Sequence, residues 1–208
     1  TLLLAVTFYT SAHPSYGIVV DKHQNIYFAD LTHHGEGTVW MLSKDGELTA
    51  LFKDFHCHKI TLDKNHNLLA EYVKQTGENS HKGYLIRRYP TGKVDTLWNN
   101  VSGNLDVALN GNVYFSAKYI WKRDTSGNIS KHSDYSIKWA QSLYVDDEEN
   151  VYIPDKGVDN GILVKINKEG NFSIIATDLI AKLDRPRDKH QDCILGVTKG
   201  CDDNIYIT

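Results

Sequence analysis

A hairpin-sized unit is written five times along this chain, and a repeat constrains a fold more tightly than any single motif. It first reads GIVVDKHQNIYFAD from Gly17 to Asp30. β-Branched and aromatic residues fill two short runs, and a polar stretch from Lys22 to Gln24 separates them, which predicts two antiparallel strands joined by a tight turn. The unit returns without gaps as KITLDKNHNLLAEY (Lys59 to Tyr72), NLDVALNGNVYFSA (Asn104 to Ala117) and SLYVDDEENVYIPD (Ser142 to Asp155). A fifth copy, GVTKGCDDNIYIT, runs from Gly196 to Thr208. An Asn closes each turn at 25, 67, 112, 150 and 204, so the steps are 42, 45, 38 and 54 residues.

After each of the first four hairpins come a polar loop, a third strand, a Gly-bearing turn and a fourth strand. In the first unit these are LTHHGEG, TVWMLS, Lys44-Asp45-Gly46 and ELTALF; in the second, YVKQTGENSHKG, YLIRRY, Pro90-Thr91-Gly92 and KVDTLW. The third and fourth units continue likewise through YIWKRD and NISKHS, and through ILVKIN and NFSIIA. Glycine supplies the positive φ that short hairpin turns require. Four strands per period of about 40–50 residues is the pattern of an all-β propeller built from four-stranded antiparallel blades. Four blades and one further hairpin are present, which predicts a six-bladed ring when complete, of which this is a fragment; a closed five-bladed ring is the rival. Residues 1–208 form a single domain on this reading. Residues 1–12 read equally as the outer strand of a preceding blade or as the remnant of a signal peptide, so the compartment is secreted or periplasmic in one case and cytoplasmic in the other.

The net charge of −3 gives no electrostatic reason for a nucleic-acid partner. No stretch reaches the roughly 18–20 apolar residues that span a membrane. Cys57, Cys193 and Cys201 lack metal-finger spacing and read as free thiols, with a Cys193–Cys201 disulfide as the alternative. Association is expected only through an open edge, and the whole ring is expected to be a monomer.

Propeller geometry sorts the chemistry. Entries to the inner strands and the loops between second and third strands share one face, the top, and the hairpin turns lie underneath. His13, His33, His34, His56, His58, His81 and His190 fall on or near the top, a concentration that suits metal binding or acid–base work. The sharpest group is His56-Cys57-His58 with Glu71. Across the hairpin, His58 is expected beside Glu71, which stands where the other units carry Ala29 and Ser116, so no fold requirement explains it. His58 and Glu71 are therefore the expected catalytic pair, either sharing a divalent metal (Zn, Mn or Ca) or acting as an oriented base. His56, His58, Glu71 and His81 are the expected metal ligands, and His33, His34, Tyr16 and Gln141 the expected substrate contacts. The recurring Tyr27, Tyr114, Tyr152 and Tyr206 read as blade packing, Asp146 to Glu149 as a solvated turn, and Arg185-Pro186-Arg187 as a solvated linker.

The units GIVVDKHQNIYFAD and SLYVDDEENVYIPD, each followed by a strand and a Gly turn, resemble the NHL-repeat propellers. They also resemble the wider gluconolactonase, regucalcin and luciferin-regenerating-enzyme group. The resemblance covers nearly all of the chain after residue 13 and implies a metal-dependent hydrolase or lyase acting on a small, lactone-like or sugar-acid-like molecule in the top central pocket. The same group includes propellers that bind a protein or glycan without catalysis, which is the alternative reading. Hydrolases of this group place metal ligands at the inner-strand entries, often an Asn or Asp just before a Gly. Here those positions are Tyr16, His58, Gly103, Gln141 and Leu195, with no acid among them, and only His58 matches the His pattern of the related lyase.

Overall fold

The computed structural model describes residues 17–31, 37–77, 80–101, 103–157, 160–180, 196–200 and 202–207. Residues 1–12, the loop histidines 33 and 34, Tyr16, and Cys193 and Cys201 lie outside them. Every regular element among the described residues is a strand. Blade 1 contains β1 (Ile18–Val20), β2 (Ile26–Leu31), β3 (Gly37–Leu42) and β4 (Leu48–Phe52). Blade 2 contains β5 (Cys57–Leu62), β6 (Leu68–Gly77), β7 (Ser80–Arg88) and β8 (Val94–Val101). Blade 3 is β9 (Leu105–Val107), β10 (Val113–Ser116), β11 (Ile120–Arg123) and β12 (Ile129–Lys131). Blade 4 is β13 (Tyr144–Val145), β14 (Val151–Asp155), β15 (Ile162–Ile166) and β16 (Phe172–Ala176), and β17 (Val197–Lys199) pairs with β18 (Ile205–Ile207) as the last hairpin.

Each blade pairs its strands in chain order, all antiparallel, so the fold is a β-propeller of four blades plus a hairpin. Inner strands of successive blades face each other around an axis. The apolar residues gather where blade meets blade. Val39, Phe55, Ile60 and Ile86 fill the first junction; Leu69, Leu85, Leu105 and Phe115 the second; Tyr114, Leu143, Val151 and Val164 the third. The second strands bury both faces in blades 3 and 4, where β10 and β14 are buried throughout, whereas the outer strands β12 and β16 are largely exposed.

The hairpin turns show why an Asn recurs. Asp21 Oδ1 accepts the backbone N–H groups of His23 (2.8 Å) and Asn25 (2.9 Å). Its Oδ2 accepts Asn25 Nδ2 (2.9 Å) and the Tyr27 hydroxyl (3.0 Å). Asp63 and Asp146 hold their turns by the same bonds to Asn67 and Asn150, and Tyr152 donates to Asp146 as Tyr27 does to Asp21. The tyrosines therefore pack between blades and also latch the turn. The residue before each Asn is left-handed: Gln24, His66, Gly111, Glu149 and Asp203 have φ of 66°, 58°, 91°, 63° and 63°.

Two expectations are corrected. The stretch 72–83 is not a loop: β6 and β7 stay paired as far as Gly77 and Ser80, and the missing side chain at Gly83 lets β8 approach β7 at Val101. Nor is the acidic turn 146–149 simply solvated. Asp146 is buried as its cap, and Glu149 reaches into the neighbouring blade. Blade 3 has Ala108 where blades 1, 2 and 4 have Asp, and Glu149 replaces the missing carboxylate: it accepts Tyr114 Oη (2.6 Å), Asn112 Nδ2 (2.8 Å) and Lys122 Nζ (3.0 Å).

Candidate functional site

On β5 the regular pairing breaks. Cys57 pairs with Tyr72 and Ile60 with Ala70, so His58 and Lys59 together oppose the single residue Glu71. Such a bulge turns the local side chains away from strict alternation. Lys59 thereby crosses the axis. Its Nζ stands 3.7 Å from Asp106 Oδ2 on β9 and 3.5 Å from the Leu143 carbonyl oxygen just before β13. Asp106, 3% exposed, accepts Val107 N at Oδ1 (2.9 Å) and Val145 N at Oδ2 (3.0 Å). One lysine and one aspartate thus tie the inner strands of three blades together.

Beside this tie lies a cavity of about 10 Å³ lined by Lys59, Glu71, Asn104, Gln141 and Ser142, with Leu105 and Leu143 as its apolar wall. That is roughly the space one water occupies. Polar side chains border it, although most of its wall is apolar. Ser142 Oγ is buried and meets no hydrogen-bond partner among the described residues. Asn104 is held by its Nδ2 donating to the Ala140 carbonyl at 3.0 Å. Gly103 makes that placement possible: at φ 80° it runs against Ser116, whose carbonyl oxygen any Cβ would strike.

Glu71 is 6% exposed. Burial pushes its carboxyl up to about 7, and the nearby Lys59 ammonium offsets only part of that. The fold therefore holds a proton that an unfolded chain releases near 4.5. The raised carboxyl makes folding most favourable below pH 4.5, and that contribution is lost as pH rises to 7. The loss should be on the order of 2–3 kcal/mol. Urea midpoints measured across this range for the native protein and for Glu71→Gln should diverge by that amount, and parallel curves would show an ordinary carboxyl.

The predicted residues are not all brought together. Glu71 and Gln141 line the cavity. His58 shares Glu71 as strand partner, and its side chain lies outside the described residues. His56 is half-buried just ahead of β5, where its carbonyl accepts Val73 N at 2.9 Å. His81 is exposed and pairs with Gln75, four register steps beyond the Glu71–Leu85 pair, or roughly 13 Å along the strand. His33, His34 and Tyr16 lie outside the described residues. Sequence reading missed Lys59, Asp106 and Ser142. The one available signal was the rarity of Lys at the start of a buried inner strand.

Among the described residues no three His, Cys, Asp or Glu side chains converge to hold a metal. The described donors at the axis do not fit a divalent ion either. Both Asp106 oxygens already accept backbone N–H groups, and an ion beside Glu71 would meet the Lys59 ammonium.

No family model matches the chain, and the search of curated proteins finds no match. Solved structures do. A gluconolactonase from Xanthomonas campestris superposes with a TM-score of 0.65 at 12% identity, over 92% of this chain and 68% of its own. A catalytically inactive virginiamycin B lyase from Staphylococcus aureus, solved with quinupristin, gives 0.57 at 13% identity, over 92% and 61%. TolB from Acinetobacter baumannii gives 0.65 at 10% identity, over 88% and 46%. The chain thus spans about three fifths of the lyase and under half of TolB, and at these identities the likeness is one of fold.

Proposed function

We propose that the axial site is that of a hydrolase acting on a small polar molecule of the lactone or sugar-acid type, with Glu71 as its proton-transfer group. The observation that carries this is a buried carboxyl, raised to about 7, on a cavity the size of one water. A general base works best with a pKa near the working pH, and burial has moved Glu71 there. In the reaction inferred, water held against Glu71 adds to the substrate's carbonyl carbon and gives its proton to the carboxylate. The protonated Glu71 returns that proton to the departing ring oxygen, and the product is a hydroxy acid. The Lys59 ammonium offsets charge building on the carbonyl oxygen. His56 and His58, just ahead of Lys59 on the chain, are proposed to relay protons or orient the substrate, with His33, His34, Tyr16 and Gln141 as its further contacts. Two solved structures of this fold are a gluconolactonase and a lyase, which agrees with such chemistry but does not establish it.

The test is a pH-stat screen of small lactones and esters. Turnover should rise with an apparent pKa near 7 and fall by about 10²–10⁴-fold in Glu71→Gln. It should survive chelation by EDTA, because the described donors do not form a metal set; loss on chelation would restore a metal to the site.

One observation favours the non-catalytic alternative, a propeller that binds a protein or glycan through its top loops. The Lys59–Asp106 pair links three inner strands, as a structural pin would. Absence of turnover on every substrate, with Glu71→Gln simply more stable at pH 8, would decide for that reading.

A further inference from the structure

The underside of the propeller carries a second feature, independent of the axial site. At each blade junction the left-handed turn residue of one blade sits over the groove it forms with the blade before. Glu149 covers the junction of blades 3 and 4 with a carboxylate held by Asn112, Tyr114 and Lys122. His66 lines the groove between blades 1 and 2. Between blades 2 and 3 the residue at this position is Gly111, which has no side chain; the groove there measures about 400 Å³, against about 460 Å³ for the one that His66 lines.

Cations enter that groove from both walls. Arg87 pairs with Leu69 on blade 2 as Lys122 pairs with Tyr114 on blade 3, so it occupies the position whose counterpart meets Glu149. Arg123 comes from the opposite wall, stacked over Trp98 at 5.8 Å and donating to the Leu97 carbonyl at 3.4 Å. Lys64 stands at the rim. The one acid in the described lining, Asp63, is committed to its own turn through Asn65 and Asn67. It meets Arg87 Nε at 3.2 Å out of line for a hydrogen bond, so that N–H is buried without an acceptor. Leu69, Leu97 and Val107 complete the floor.

We propose that this groove binds a small carboxylate with an apolar body, its carboxylate between Arg87 and Arg123 and its tail on the leucines. Planar guanidinium groups match a carboxylate in charge and in the geometry of paired N–H donors. The next junction shows the same chemistry satisfied from within the chain, by Glu149 on Lys122.

Calorimetry with hexanoate tests this, using hexanamide as its neutral counterpart and inorganic phosphate as a second anion. Hexanoate should bind, hexanamide should not, and phosphate should bind at least tenfold more weakly. Arg123→Gln should weaken hexanoate about tenfold. Gly111→Glu should abolish binding by supplying the plug; its Cβ would touch only the Thr125 methyl, at 3.1 Å. Glu71→Gln should change none of this. Equal binding of hexanamide or phosphate, or undiminished hexanoate binding in both Arg123→Gln and Gly111→Glu, overturns the proposal.

Discussion

Replacing Asp155 by alanine is expected to cost about 4–5 kcal/mol, a large part of the stability of an ordinary domain. The carboxylate is fully buried at the end of β14 and accepts four donors. Trp139 N and Gly157 N reach Oδ1 at 2.8 and 3.0 Å, and Tyr135 Oη and Lys138 N reach Oδ2 at 2.9 and 2.8 Å. Three of these donors come from the link between blades 3 and 4, residues 132–143, which has no strand ladder of its own. Asp155 therefore does for this link what a neighbouring strand does elsewhere. Alanine would strand all four donors, and each buried donor left without a partner costs about 1–3 kcal/mol, less whatever relaxation and water recover. The effect should reach the axis, since the same link ends in Gln141 and Ser142 of the cavity. Equilibrium unfolding in urea measures it, and a loss under 1 kcal/mol would show that the link is held by other contacts.

Glu149→Ala should cost about 3 kcal/mol, and adding Ala108→Asp should recover much of it. The first substitution removes the acceptor of Asn112, Tyr114 and Lys122 together. The second restores within blade 3 the turn aspartate that the other blades already use, as Asp21 shows with Asn25 and Tyr27. Burial alone would raise the Glu149 carboxyl, but hydrogen bonds from Tyr114, Asn112 and Lys122 outweigh it and hold the carboxyl at about 2. Its contribution is thus present above pH 4.5 and lost as pH falls toward 2, the opposite slope to Glu71. A double-mutant cycle in which Ala108→Asp adds the same increment with and without Glu149 would show that the two carboxylates do not serve one turn.

The blades were legible because their signals are local. Runs of β-branched and aromatic residues, a Gly in each outer turn and the Asn that closes each inner turn, bonded to an Asp in blades 1, 2 and 4, all lie within a few residues. They recur four or five times, so chance resemblance is averaged away. Glu71 was legible for a related reason: it breaks a pattern that Ala29 and Ser116 keep. Reading 72–83 as a loop failed because polar residues on a two-stranded extension look, in sequence, like residues of a loop.

By itself, then, the sequence determined the fold class, the hairpins and the carboxyl that interrupts them. Only the tertiary structure decided which side chains meet it. The bulge at His58–Lys59 adds one residue to a strand of period two, and that shift aims Lys59 at the axis in a way no spacing rule anticipates. Its partners Asp106 and Leu143 lie on other blades, the latter 84 positions away, and Glu149 finds Tyr114 across 35. Contacts of that separation arise from packing successive blades around an axis. The repeat shows that the blades form, and packing decides what they bring together.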